Sequence, residues 1–516
     1  MKNLRVLAAL LLLAASAPCL PAQNVYKAQL SESNFFTIRQ QLNEYWKDQK
    51  REPGTGHSVY RRWEWFHEAR LMPDGTFPPS NIKATEWNKY HALHPQKDDL
   101  SAANWSSLGP SSTFSGYNGI GRVNCIAVDP TNPNTLWVGT PAGGLWKSIN
   151  GGTSWSTNTD NFTVLGVSAL VIDPLNPNIM YMGTGDGFSS DTRSIGVLKS
   201  TDGGVTWNTT GLTWFVTNSI YIRYMAIHPT SPNIVVVAAS NGLYQTANGG
   251  ESWTKVSTDD FYDVKFKPGN PNIVYAASDN RVYKSTNGGA TFVSALTITT
   301  SDRIGIAVTP ADPEMIAVVS SSSASDDFGA LKWFYVSNNS GTTFTLKSTS
   351  PNILGSAADG TSVKGQGWYD LCIAVSPTNP NLIFVGGVNM WKSADGGVTW
   401  SLLTHWRGSD APAGTPVVHA DKHALLWSGN TLLQGCDGGI YKTANNGVSW
   451  TDISSNLAIS QMYRLGVSQS DNKVICGLQD NGTKLRSNTG AWTDNIGGDG
   501  MECFIHPTNA NIMYGE

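Results

Sequence analysis

Side chains able to act as acids, bases or ligands gather late in this chain. Asp370 follows Trp368 and Tyr369; His419, Asp421 and His423 fall at every second position; Asp437, Asp480 and Asp499 each precede Gly or Asn. On a strand, alternate residues share a face. Two imidazoles and a carboxylate at 419, 421 and 423 would suit Zn or another divalent ion. The other reading of the three is a hydrogen-bonded polar cluster that holds one repeat unit against its neighbour, with no cofactor. Asp421, Asp437, Asp480 and Asp499 are also candidates for the acid–base pair of glycoside hydrolysis, which needs two carboxyls roughly 5–9 Å apart. Asp-Gly and Asp-Asn steps equally suit tight turns. Trp214, Trp368, Tyr369 and Trp406 could stack on sugar rings or clasp a peptide, or fill gaps beneath long loops. Other chemistries lack their motifs. There is no G-x-S-x-G elbow, phosphate-binding loop or C-x-x-C, and His67-Glu68 has Leu71 where a zinc-protease helix needs its second His.

The elements that must position these residues are read from a repeat. Eight-residue segments of pattern Ser/Thr-x-Asp/Asn-x-Gly-x-Ser/Thr-Trp/Phe start at 148, 200, 246, 285, 337, 393 and 443. A Pro/Asn-rich segment of the DPTNPN kind precedes most of them by about 20 residues. Repeats near 40–50 residues with several strands each indicate a β-propeller. The first unit divides into strands at 122–128, 135–139, 144–148 and from about 155. The Pro/Asn turn joins strands A and B, and the eight-residue segment joins C and D. Its Asp or Asn can bond turn amides, which gives Asn150, Asp202, Asn248, Asn287, Asn339, Asp395 and Asn445 a structural role. The B–C turns and D–A connections then share the opposite face, at the channel mouth, with Asp186, Asp191 and all the candidates above. A decayed segment at 487–492 and the stretch 501–516 continue the series. The expected fold is all-β: a propeller of four-stranded blades, eight or more units with the last incomplete, and a short partly helical N-terminal arm. An open array would leave a blade edge unpaired, so the reading includes a longer parent chain.

Composition narrows the function. Lys+Arg 35 against Asp+Glu 39 leaves a net charge of −4 over 516 residues. That excludes the basic surface nucleic acid requires. Lys2 and Arg5 before an apolar run at 6–15 form an export signal with cleavage expected after Ala22, and Pro18 spoils a lipoprotein site at Cys19. The mature chain has no membrane span, and its five cysteines read as buried free thiols. The expected divisions are 1–22 (signal), 23–104 (arm, with a helix at 34–48 burying Phe35, Ile38, Leu42 and Trp46, packed on the main domain) and 105–516 (propeller). The address is secreted or cell-surface.

The segments at 121–148, 365–381, 419–426, 437–443, 478–482 and 497–501 resemble the sortilin/Vps10-like Asp-box propellers of large exported bacterial proteins. The resemblance implies one large propeller of up to about ten blades, often followed by a type IX sorting tail. Two enzyme families share the boxes. Sialidases need an arginine triad and an arginine-containing entry motif that this chain lacks. Xyloglucan-cleaving hydrolases resemble the first unit, but Pro141 stands where their catalytic Asp belongs. The expected function is binding of a protein or glycan at the channel mouth without turnover, through Trp368, Tyr369, Asp370, His419, Asp421, Trp406 and Trp214. The alternative is a secreted glycoside hydrolase using the mouth carboxylates.

Overall fold

In a computed structural model the described residues are 34–49, 57–78, 82–93, 106–112 and 118–516. The expected export segment and Cys19 lie outside them. Contacts divide the chain into two units, Met1–Ala102 and Ala103–Glu516. In the first, helices span Phe35–Lys47, His57–Glu68 and Ile82–Leu93. The Asn34 side chain caps the first helix by accepting from the Phe36 and Thr37 amides. Its i, i+3/i+4 stripe buries Phe35, Ile38, Leu42 and Trp46 against Tyr60, and Trp63 stacks on Phe35 at 5.1 Å.

The second unit is built of strands. Eight four-stranded antiparallel sheets follow one another in chain order, each ordered A-B-C-D, and a two-stranded pair ends the series. Seven sheets form a closed ring: 125–157, 167–213, 222–257, 261–297, 301–348, 372–404 and 422–452. The innermost strand of each blade touches that of the next, and the seventh touches the first. The eighth sheet (462–496) and the final pair (503–515) stand outside the ring. Eight complete units with a ninth incomplete match the expected count. The seven-blade closure differs from the single larger propeller that resemblance implied.

The repeated turn accounts for the regularity. In the first blade Ser148 Oγ donates to Asn150 Oδ1 and accepts from the Gly152 amide, both at 2.9 Å. Asn150 Oδ1 also accepts from the Ser154 amide at 2.9 Å. The same amide bond, at 2.9–3.0 Å, recurs at Asp202, Asn248, Asn287, Asn339, Asp395 and Asn445. The turn needs a left-handed residue at its fourth position, where Gly151 has φ +69°. Ser340 and Asn446 take that conformation in the fifth and seventh blades, at φ +56° and +55°. The Gly151 amide bonds the Asn134 carbonyl, so these turns and the Pro/Asn turns lie on one face.

Each turn ends in an aromatic residue that packs into the interface with the preceding blade. Trp207, Trp253, Phe292, Phe344, Trp400 and Trp450 each join such an apolar cluster. Trp155 of the first blade joins Leu433, Ile440 and Ile453 of the seventh, and its Nε1 donates to the Ile453 carbonyl at 2.8 Å. Lys147 and Lys199 reach forward to the Gly203 and Gly249 carbonyls of the next blade's turn. Lys442 makes the same bond to Gly151, carrying the pattern from blade seven to blade one. In its aromatic residue the closure repeats the packing of the six other junctions, and its lysine bond repeats that of the first two.

All five cysteines from Cys125 onward are free thiols, Cys125 half-buried and the rest buried. Among the described residues no helix is long and apolar enough to cross a membrane.

Candidate functional site

Arg122, just before the first inner strand, is 1% exposed and organises the channel mouth. Its guanidinium donates to Asp186 at 2.7 Å, to Asp191 at 3.1 Å and to the Tyr369 hydroxyl at 2.8 Å. The Tyr369 hydroxyl donates onward to Asp437 Oδ2 at 2.7 Å, and His423 Nε2 meets Asp437 Oδ1 at 2.7 Å. One chain of charge-assisted bonds thus ties blades one, two, six and seven across the ring. Burial pushes Asp186 up, but Arg122 and the donors of Asp191, Ser189 and Phe188 outweigh it, and its carboxyl sits below the usual range. His423 is held well below its ordinary pKa by burial and then by Arg122, so the imidazole is neutral.

Around this network lies a run of carboxyls in mutual reach. Asp370 is fully buried, and neither of its oxygens meets an N–H or O–H donor. Its polar neighbour is the Asp421 carboxyl, and burial followed by Asp421 raises Asp370 far above the carboxylate range. The proton so retained is what that pair can share. Burial raises Asp421 to about 6, with Asp437 adding repulsion. Asp437 is likewise pushed to about 6 by burial against the pull of Arg122. Asp480 is raised to about 8, by burial first and then by Asp437 and Asp499. The Asp480 amide donates to Asp499 at 2.8 Å.

The eighth sheet docks on this face. His419 Nε2 bonds the Asp480 carbonyl at 3.0 Å, Asn481 donates to the Asp437 carbonyl at 3.0 Å, and Gln461 reaches Asp191 at 2.7 Å. Between ring and sheet is a cleft of about 480 Å³. Its polar wall includes Trp406, Arg407, His419, Asp421, Asp480 and Asp499. The Arg407 guanidinium lies over the Trp406 ring at 4.5 Å.

Not every candidate reaches this cleft. Asp437 is buried beneath it and Asp370 stands behind Asp421. Trp368, half exposed, stacks on Phe328 at 6.4 Å beside Tyr369. Trp214 packs against Tyr244 between the second and third blades, as a filler of that interface. His419, Asp421 and His423 do not share one face. The strand starts only at Lys422, Asp421 has φ +61°, and a bulge follows. His419 turns to the Asp480 carbonyl, Asp421 accepts from Gln366 at 3.1 Å, and His423 turns to Asp437. Among the described residues no group of three such side chains converges as a metal would require. Pro141 lies in the first blade's B–C turn, its carbonyl accepting from Thr192.

Sequence reasoning missed Arg122 and Arg303 as mouth residues. Arg303 donates to the Tyr369 and Leu371 carbonyls and so fixes the Trp368–Asp370 loop. The available signal was that each arginine immediately precedes or occupies an inner strand.

No family model matches the chain, and no curated protein matches it. Among solved structures it is similar to an ancestral GH74 enzyme, at 19% identity and TM-score 0.55 over 76% of this chain and 56% of that one. A GH74 enzyme of Niastella koreensis gives 19% and 0.56 over 78% and 65%. The GH74 xyloglucanase from Xanthomonas campestris gives 16% and 0.52 over 72% and 60%. At these identities the likeness is one of fold, a β-propeller. The chain spans less than two thirds of the length of each of these three.

Proposed function

We propose that this is an exported Asp-box propeller, of the sortilin/Vps10-like kind, that binds a hydroxyl-rich glycan at the cleft without turning it over. The observation that carries the reading is the convergence of Trp406, Arg407, Asp421, Asp480 and Asp499 on one cleft between the ring and the eighth sheet. Ionised carboxyls accept hydrogen bonds from sugar hydroxyls, a protonated one donates, and an indole face offers a stacking surface. Display outside the cell is supported by the basic and apolar pattern of residues 2–15. Glycan-array binding followed by calorimetry on purified protein is the test. Saturable binding that weakens in Trp406→Ala and in Asp421→Asn, with no new reducing ends, is the expected result. Binding of peptides alone would reassign the ligand class.

A second reading, a glycoside hydrolase, is favoured by Asp480. A carboxyl protonated at neutral pH beside Asp499 and within reach of Asp421 is the acid half of the pair such chemistry uses. Pro141 argues against it on the first blade. Release of reducing ends from a polysaccharide, lost in Asp480→Asn, would establish turnover.

A further inference from the structure

The ring encloses a second cavity, of about 310 Å³, at its centre. It shares no lining residue with the cleft. Its wall is made by the inner strands, and much of it is apolar, with Ile126, Leu170, Ile304 and Leu425 among the lining residues.

Three polar side chains in that wall are left incomplete by the protein. Arg303 is 6% exposed and bonds only main-chain carbonyls. Among the described residues no carboxylate lies within ion-pair distance of it, whereas the neighbouring Arg223 and Lys265 are paired with Asp260 and Asp263. Asn124 and His423 are 2% and 5% exposed, and Asn124 Oδ1 and His423 Nδ1 have no partner. Both groups are fixed by their other ends. Asn124 Nδ2 donates to Asp186 at 3.1 Å and His423 Nε2 donates to Asp437 at 2.7 Å. The two open atoms are therefore acceptors. A buried cation without a counter-charge and buried acceptors without donors are costly, and one molecule carrying an anion and a hydroxyl can meet the cation and one of the acceptors.

We propose that the channel binds a small hydroxycarboxylate. Its carboxylate sits on Arg303, its hydroxyl donates to His423 Nδ1 or Asn124 Oδ1, and its short carbon chain lies against the apolar wall. The site is independent of the glycan reading of the cleft. The probes are 2-hydroxyhexanoate, hexanoate (no hydroxyl) and 1,2-hexanediol (no carboxylate), titrated calorimetrically into the whole protein. The hydroxy acid should bind saturably at one site, and each control roughly tenfold more weakly or worse, as expected for loss of a charge-assisted bond or of a buried donor. Arg303→Met should weaken the hydroxy acid by at least about tenfold. Ala424→Leu, which fills the channel and leaves the three polar groups in place, should do the same while melting like the parent. No saturable heat from 2-hydroxyhexanoate up to about 10 mM, equal binding of the diol, or unchanged affinity in a folded Arg303→Met would each overturn the assignment.

Discussion

Tyr369 is the residue on which the mouth turns, because its hydroxyl accepts from Arg122 and donates to Asp437 in one line. Tyr369→Phe keeps the ring and removes both bonds, leaving buried charges short of a partner. The expected loss is about 1.5–3 kcal/mol in denaturant unfolding, with the melting cooperativity kept. A second prediction concerns pH. Asp421, Asp437 and Asp480 have folded pKa values of about 6, 6 and 8, above the unfolded value near 3.9. Their protonated forms fit the fold, so the stability they contribute is full below pH ~4 and is lost as pH rises through 6 to 8. Asp202 and Asp395 sit at about 2 in their turns, and their contribution is lost only as pH falls from ~4 through 2. Thermal melts should therefore peak in mildly acid solution and decline toward pH 9. Asp480→Asn should flatten that decline; an unchanged slope would show that these carboxyls do not govern it. Several of these acids were legible as a group from their place in B–C turns. Arg122 was not, since it meets Tyr369 across 247 positions of sequence. The alternation drawn through 419, 421 and 423 failed because it assumed extended backbone, and Asp421 is left-handed.

The eight-residue turn was legible because its chemistry is local. Every bond that defines it runs between residues two to four apart, so its signature survives in the sequence. The packing of its last residue is not local, and it carries more of the energy. Trp155 is 8% exposed and bridges the first and seventh blades. Trp155→Ala should cost about 3–5 kcal/mol and lower the melting temperature of the whole ring. Loss of less than about 1 kcal/mol would mean the seam is held elsewhere. The eighth sheet shows the contrast. It repeats the strand pattern, yet Leu465 and Val467 on its first strand are 56% and 51% exposed, where the matching rows of the ring are covered by a neighbouring blade.

At the scale of the molecule, sequence gave no mark of where the ring ends. Units seven and eight follow one another as units six and seven do, and the repeat carries on past the closure. What decides it is a long-range contact, with the Ile120 and Val123 amides bonding the Gly438 and Cys436 carbonyls of blade seven. A variant ending at Gln461 should accordingly keep a cooperative melt and the strand signature in circular dichroism. It should lose the cleft, whose far wall is Asp480 and Asp499, and retain binding in the channel. Collapse of the truncated chain into an unfolded state would show that the eighth sheet is part of the folding unit.

The seam between blades seven and one has a topological consequence. It is made without a peptide bond but by the same turn and inward-packed aromatic residue that join every covalently linked pair, with the lysine bond also found at the first two junctions. The Asn456 amide bonds the Ser111 carbonyl at 2.6 Å, so the two ends of the ring segment lie side by side. First and last are then accidents of gene order. A circular permutant, with a short linker joining those ends and new termini in the loop between blades three and four, should fold to the same wheel.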